Sequence, residues 1–97
     1  MVKHIVMWKL KDFAEGRTKE ENIKFIKESL ENLAGLIPEI KYLEVGAGLD
    51  SGFDAVLYSE FNSLPDLSAY QNHPEHKKVA EYIGKVKEER ACGDYVI

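Results

Sequence analysis

Residues 2 to 10, VKHIVMWKL, alternate: His4, Val6, Trp8 and Leu10 fall on one side of an extended chain, Ile5 and Met7 on the other. Side chains along a strand point to opposite faces in turn, so the pattern predicts a strand. Because both faces carry apolar groups, both need cover. The period then changes. After the loop DFAEGR, Thr18 stands three residues before Glu21, the spacing of a capping box in which each side chain satisfies an otherwise orphaned backbone donor. Ile23, Ile26, Leu30 and Leu33 follow at three-and-four spacing, which predicts an amphipathic helix stopped near Gly35 and Pro38.

IKYLEVGAG, residues 40 to 48, reads as a second strand, LDSGF as a turn and DAVLYSEF, residues 54 to 61, as a third strand that makes a hairpin with the second. Ser63 offers an N-cap with Pro65 in the first turn, so SLPDLSAYQ predicts a short second helix. Pro74 disfavours helix at His73, which breaks the chain there and makes His73 the cap of a third helix over PEHKKVAEYIGKVKEE. ACGDYVI closes the chain as a strand.

Strand, helix, strand, strand, broken helix, strand is the order of an α+β, ferredoxin-like plan: a four-stranded antiparallel sheet with helices on one face. The other face would carry Ile5, Met7, Leu43 or Tyr42, Val56 and Tyr58. A second copy of the same sheet, related by a two-fold axis, is the simplest cover, so a homodimer and a dimeric α/β barrel are expected. At 97 residues the chain is one domain, 1–97, with a core small enough to gain from that partner.

Seventeen acidic against thirteen basic residues, a net charge of -4 and no basic block longer than Lys77-Lys78 argue against a nucleic-acid partner. The apolar N-terminal run, broken by Lys3 and Lys9, is too short for a membrane span or a signal segment, so no membrane association and a cytoplasmic location are expected. The single cysteine, Cys92, excludes an internal disulfide framework and is expected as a small buried strand residue.

KHIVMWKLK, IPEIKYLEVG, SEFNSLPDLSAYQNHPEH and GDYV together resemble the stress-responsive A/B barrel domain (Dabb) family across nearly the whole chain. The most specific part is the aromatic-X-X-His-Pro-X-His segment, Tyr70 to His76, in register with His4. The resemblance implies the dimeric α+β barrel fold. It also implies a site, because plant polyketide cyclases with this domain use a tyrosine and a histidine at the places of Tyr70 and His76, with a histidine like His4 lining the same cavity. Those cyclases carry a further histidine near Ala55, which this chain lacks, so their substrate does not carry over.

Tyr70, His76 and His4 would converge between helices and sheet in a cavity walled by Trp8, Ile26, Leu30, Leu57 and Tyr95, the mixture of apolar lining and few polar groups usual for a small-molecule site. A neutral His76 would take a proton and Tyr70 would donate to a developing oxyanion, with no cofactor. A hydrogen-bonded Tyr70–His76 pair that only fastens the helix break is the plain alternative. No metal site is expected, since His73 and His76 lack the i, i+4 spacing of a zinc pair on one helix. The leading reading is therefore a homodimer that binds a small apolar or aromatic molecule, with cyclase- or isomerase-like acid/base chemistry. A non-enzymatic stress or stability protein and, on fold analogy, a cofactor-independent monooxygenase-like enzyme are the other readings.

Overall fold

The alternation in the first strand organises the molecule. In a computed structural model, which describes residues 1–50 and 52–97, every second residue of β1 (Val2–Leu10) is buried and those between are half-buried. A two-residue hairpin, β2 (Phe13–Ala14) and β3 (Arg17–Thr18), leads to α1 (Lys19–Asn32), a single 3-10 turn and β4 (Tyr42–Ala47). β5 (Ala55–Phe61), α2 (Leu64–Asn72), α3 (Pro74–Val86) and β6 (Lys87–Val96) complete the chain. The four long strands pair in the order β4-β5-β1-β6, every pair antiparallel, which is the ferredoxin-like sheet.

The capping box forms as read: Thr18 Oγ1 accepts from the Glu21 N–H at 3.2 Å and Glu21 Oε1 accepts from the Thr18 N–H at 2.9 Å. From there α1 lays Ile26 and Leu30 on the sheet, where they meet Val6, Trp8 and Leu10 of β1, Leu57 and Phe61 of β5, and Ile83 and Val86 of α3 in one core.

Several boundaries differ from the sequence reading. DFAEGR is a loop only at its tip, where Glu15 (φ 52°) and Gly16 (φ 76°) turn the chain through left-handed backbone between β2 and β3. The third helix ends at Val86, not Glu89, and β6 starts at once. Val86 is the last apolar residue of that run, so nothing beyond it could hold a helix on the core, whereas the free backbone edge of β1 gains a full ladder from Lys87 onward. β4 is shorter than residues 40–48, because Ile40 packs in the preceding turn and Gly48 begins the connection. That hairpin turn, LDSGF, includes Ser51, which lies outside the described residues. A Cβ on Gly48 would stand 1.7 Å from the Phe53 carbonyl oxygen, so only glycine fits there.

The face of the sheet away from the helices carries Ile5 opposite Tyr58 and Met7 between Val56 and Ala91. Of the two candidates on β4, Tyr42 lies on this face and Leu43 is buried under the helices. Beside the apolar strip, Glu60 accepts from Lys3 Nζ at 2.7 Å and from the Tyr58 hydroxyl at 2.5 Å. Cys92 is exposed rather than buried: β6 is an edge strand, and the helices do not extend over it at that point. Among the described residues no helix is long and apolar enough to cross a membrane.

Candidate functional site

The site is built where the broken helix crosses the sheet. Ser63 caps α2 through Oγ, and the helix runs to His73, whose extended backbone (φ -67°, ψ 135°) is what Pro74 demands of its neighbour. The His73 ring then turns back and accepts, through Nδ1, the Glu75 N–H at 3.1 Å. His73 is thus the cap of α3, as its position before Pro74 predicts.

This break sets Tyr70, in the last turn of α2, against His76, in the first turn of α3, with ring centroids 4.4 Å apart. His4 approaches Tyr70 from β1, ring edge to face, at 6.3 Å. All three line one cavity of about 110 Å³. Val6, Trp8, Leu30, Leu57 and Ile83 form its apolar wall, and Gln71, Lys87 and Arg90 stand on it as the polar members. Two residues expected in the wall are elsewhere. Ile26 is one turn of α1 away and lines a separate hollow between α1 and α3 with Phe25, Val79 and Tyr82. Tyr95 pairs with Lys3, which places it on the opposite face of the sheet, half-exposed. A strand changes face at every residue, so Tyr95 points away from the cavity side that its neighbour Asp94 shares with His4.

The hydrogen bonds define proton positions. His76 Nδ1 lies 3.1 Å from the Gln71 carbonyl oxygen. A carbonyl only accepts, so Nδ1 carries the proton and Nε2 keeps a lone pair. His4 Nδ1 lies 2.6 Å from Asp94 Oδ1, where a carboxylate again accepts and Nε2 is again left as the basic nitrogen. Burial pushes the His76 pKa below its ordinary value near 6.5, against the opposing pull of the Gln71 hydrogen bond, and the Arg90 charge acts in the same direction as burial. His76 is therefore neutral near pH 7 and able to accept a proton. Burial drives the Tyr70 phenol upward, so it remains a donor.

Tyr70 is the anomaly. Its side chain is completely buried, and among the described residues its hydroxyl is the buried side-chain polar atom left without a partner. Such a group costs about 1–3 kcal/mol if nothing pairs with it. It does not bond His76, so it is not a clasp between the two helices.

Sequence reasoning missed Asp94, Lys87 and Arg90. Their signal was the closing strand itself: once β6 is paired antiparallel to β1, Asp94 falls opposite His4, Arg90 opposite Trp8 and Lys87 opposite Leu10, all on the helix side. One further cluster, His4, Cys92 and Asp94, brings ligand-type atoms within 4.8 Å of one another, but the Nδ1–Oδ1 contact there is a hydrogen bond.

The family model described as stress responsive A/B barrel domain matches residues 2–97. Among solved structures, a dimeric protein of unknown function and ferredoxin-like fold from Bacteroides fragilis is 39% identical, covering 99% of this chain and 95% of that one at a TM-score of 0.88. The hydroxynitrile lyase of Passiflora edulis is 24% identical, covering 99% and 92% at 0.84. A Dabb family protein with a ferredoxin-like fold from Mesorhizobium loti is 19% identical, covering 99% and 95% at 0.75. None of the curated proteins matches the chain.

Proposed function

The chain belongs to the stress responsive A/B barrel domain family, and we propose that it is a homodimer that binds a small apolar or aromatic molecule in the Tyr70–His76 cavity and moves a proton on it. The observation that carries this reading is the orphan Tyr70 hydroxyl. A buried donor without a partner is destabilising, and its presence in a cavity wall is accounted for if a ligand oxygen completes it.

The chemistry follows from the proton positions. Tyr70 O–H donates to a carbonyl oxygen on which negative charge builds, while His76 Nε2 removes a proton from the adjacent carbon. His4, held through Nδ1 by Asp94, presents a second basic nitrogen from the sheet. Both steps use groups of this chain alone. The hydroxynitrile lyase with this fold is an instance of the scaffold serving an enzyme that acts on a small molecule. For assembly, the half-buried strip of Ile5, Met7, Val56 and Ala91 and the dimeric relative from Bacteroides fragilis support a two-fold pairing of sheets.

Phenylacetone tests the reading, because it offers one ring, one carbonyl and exchangeable α-hydrogens. Its α-hydrogen exchange in D2O, followed by proton NMR, should be faster with the wild type than in buffer and should fall about a hundredfold with His76→Ala or Tyr70→Phe. Exchange no faster than buffer, together with no saturation transfer to phenylacetone, overturns it.

A further inference from the structure

We infer that the ligand is a small carboxylic acid whose carboxylate is held at the cavity mouth by Arg90 and Lys87, with its apolar part inside; this rests on the reading of the cavity as a ligand site. In a chain with more acidic than basic residues, the residues lining the cavity include a lysine and an arginine and no carboxylate. Neither cation is held in an ion pair: among the described residues, the ion pairs of the molecule engage Lys3, Lys19, Lys27, Lys78 and His4, and none engages Lys87 or Arg90. Asp94, on the same face of β6, is already committed to His4.

Both cations reach the mouth for a topological reason. They sit on the helix side of an edge strand, opposite Leu10 and Trp8. Both line the cavity, and Arg90 is exposed and Lys87 half-buried, which puts their charges on its solvent side. The start of α3, a possible rival for an anion, is occupied: Pro74 has no N–H, and the Glu75 N–H is bound by the His73 ring. Negative charge is therefore received by the guanidinium and ammonium groups, and the planar fork of Arg90 matches the two oxygens of a carboxylate.

Volume limits the apolar part. A dry engineered cavity of about 150 Å³ accepts benzene; the present one, about 110 Å³, takes one ring or a short branched chain at most. With the carboxylate at the mouth, a carbonyl near Tyr70 and an acidic C–H near His76, the chemical class is a short-chain or single-ring oxo acid.

Phenylacetone and phenylpyruvate make the test, since they differ in a methyl group against a carboxylate. Affinities would be measured by NMR titration on the wild type, Arg90→Gln and Lys87→Gln at low and high salt. The wild type should prefer phenylpyruvate by about tenfold or more, and that ratio should fall toward one in Arg90→Gln and, to a lesser degree, in Lys87→Gln and in high salt. If phenylacetone binds and phenylpyruvate binds no tighter, or if Arg90→Gln keeps the ratio, the carboxylate assignment is wrong while the cavity reading stands. If phenylacetone does not bind, the cavity reading and the carboxylate assignment that rests on it fall together.

Discussion

Replacing Tyr70 by phenylalanine should make the protein more stable and less functional, and the sign of the first effect decides between two accounts of the residue. In the clasp account Tyr70 bonds a neighbour across the helix break, and losing that bond would cost about 1 kcal/mol. The structure instead shows a hydroxyl buried in a fully covered side chain with no partner. Deleting it removes an unpaid desolvation cost of about 1–3 kcal/mol. The gap left is one oxygen atom in the wall of an existing cavity, a smaller loss, so a net gain of about 1 kcal/mol is expected. For a domain of this size that is a rise of about 4–8 °C in Tm. Urea unfolding of both proteins, with the melting temperature as a second readout, gives the sign. Phenylacetone exchange on the same preparation should drop. A Tyr70→Phe protein less stable than wild type by 1 kcal/mol or more would refute the orphan-donor argument and restore the clasp.

The lowered pKa of His76 makes a pH prediction: above its ordinary value near 6.5 both folded and unfolded chains hold it neutral, and as the pH falls below that the unfolded chain takes up a proton the folded one resists. Stability should thus be intact above 6.5 and decline through the interval down to the lowered value; His76→Phe should show a shallower acid decline in urea midpoints between pH 7.5 and 5, and an equal decline would remove the argument. Val56→Asp, placed in the half-buried strip beside Met7, should turn a dimer into monomer or aggregate by sedimentation equilibrium, since each apolar side chain covered there contributes roughly 1.5–3 kcal/mol. Gly48→Ala should be among the most damaging single changes, because its Cβ would meet backbone oxygen rather than a side chain able to move; a melting temperature within a few degrees of wild type would show that the β4–β5 connection shifts easily.

Much of this protein was legible in the chain because the signals are local. Alternation in β1, the Thr18–Glu21 box and the Ser63 and His73 caps each depend on residues a few positions apart, so element order and the ferredoxin-like plan followed from them. The Tyr70-Gln71-Asn72-His73-Pro74-Glu75-His76 segment likewise foretold a helix break with two rings beside it. What the tertiary structure decided depends on pairing across the molecule. The helix-to-strand change at Lys87 is made by the open edge of β1, some eighty positions away in sequence, and not by any local preference of KEER. From that register come the partner of His4 at Asp94, the two cations at the cavity mouth, the exposure of Cys92 and the placement of Tyr95 on the far face. Whether the Tyr70 hydroxyl has a partner is likewise a matter of where three elements meet. A strand states its alternation in its own sequence, but which of its faces meets the helices is settled only by the strand it pairs with.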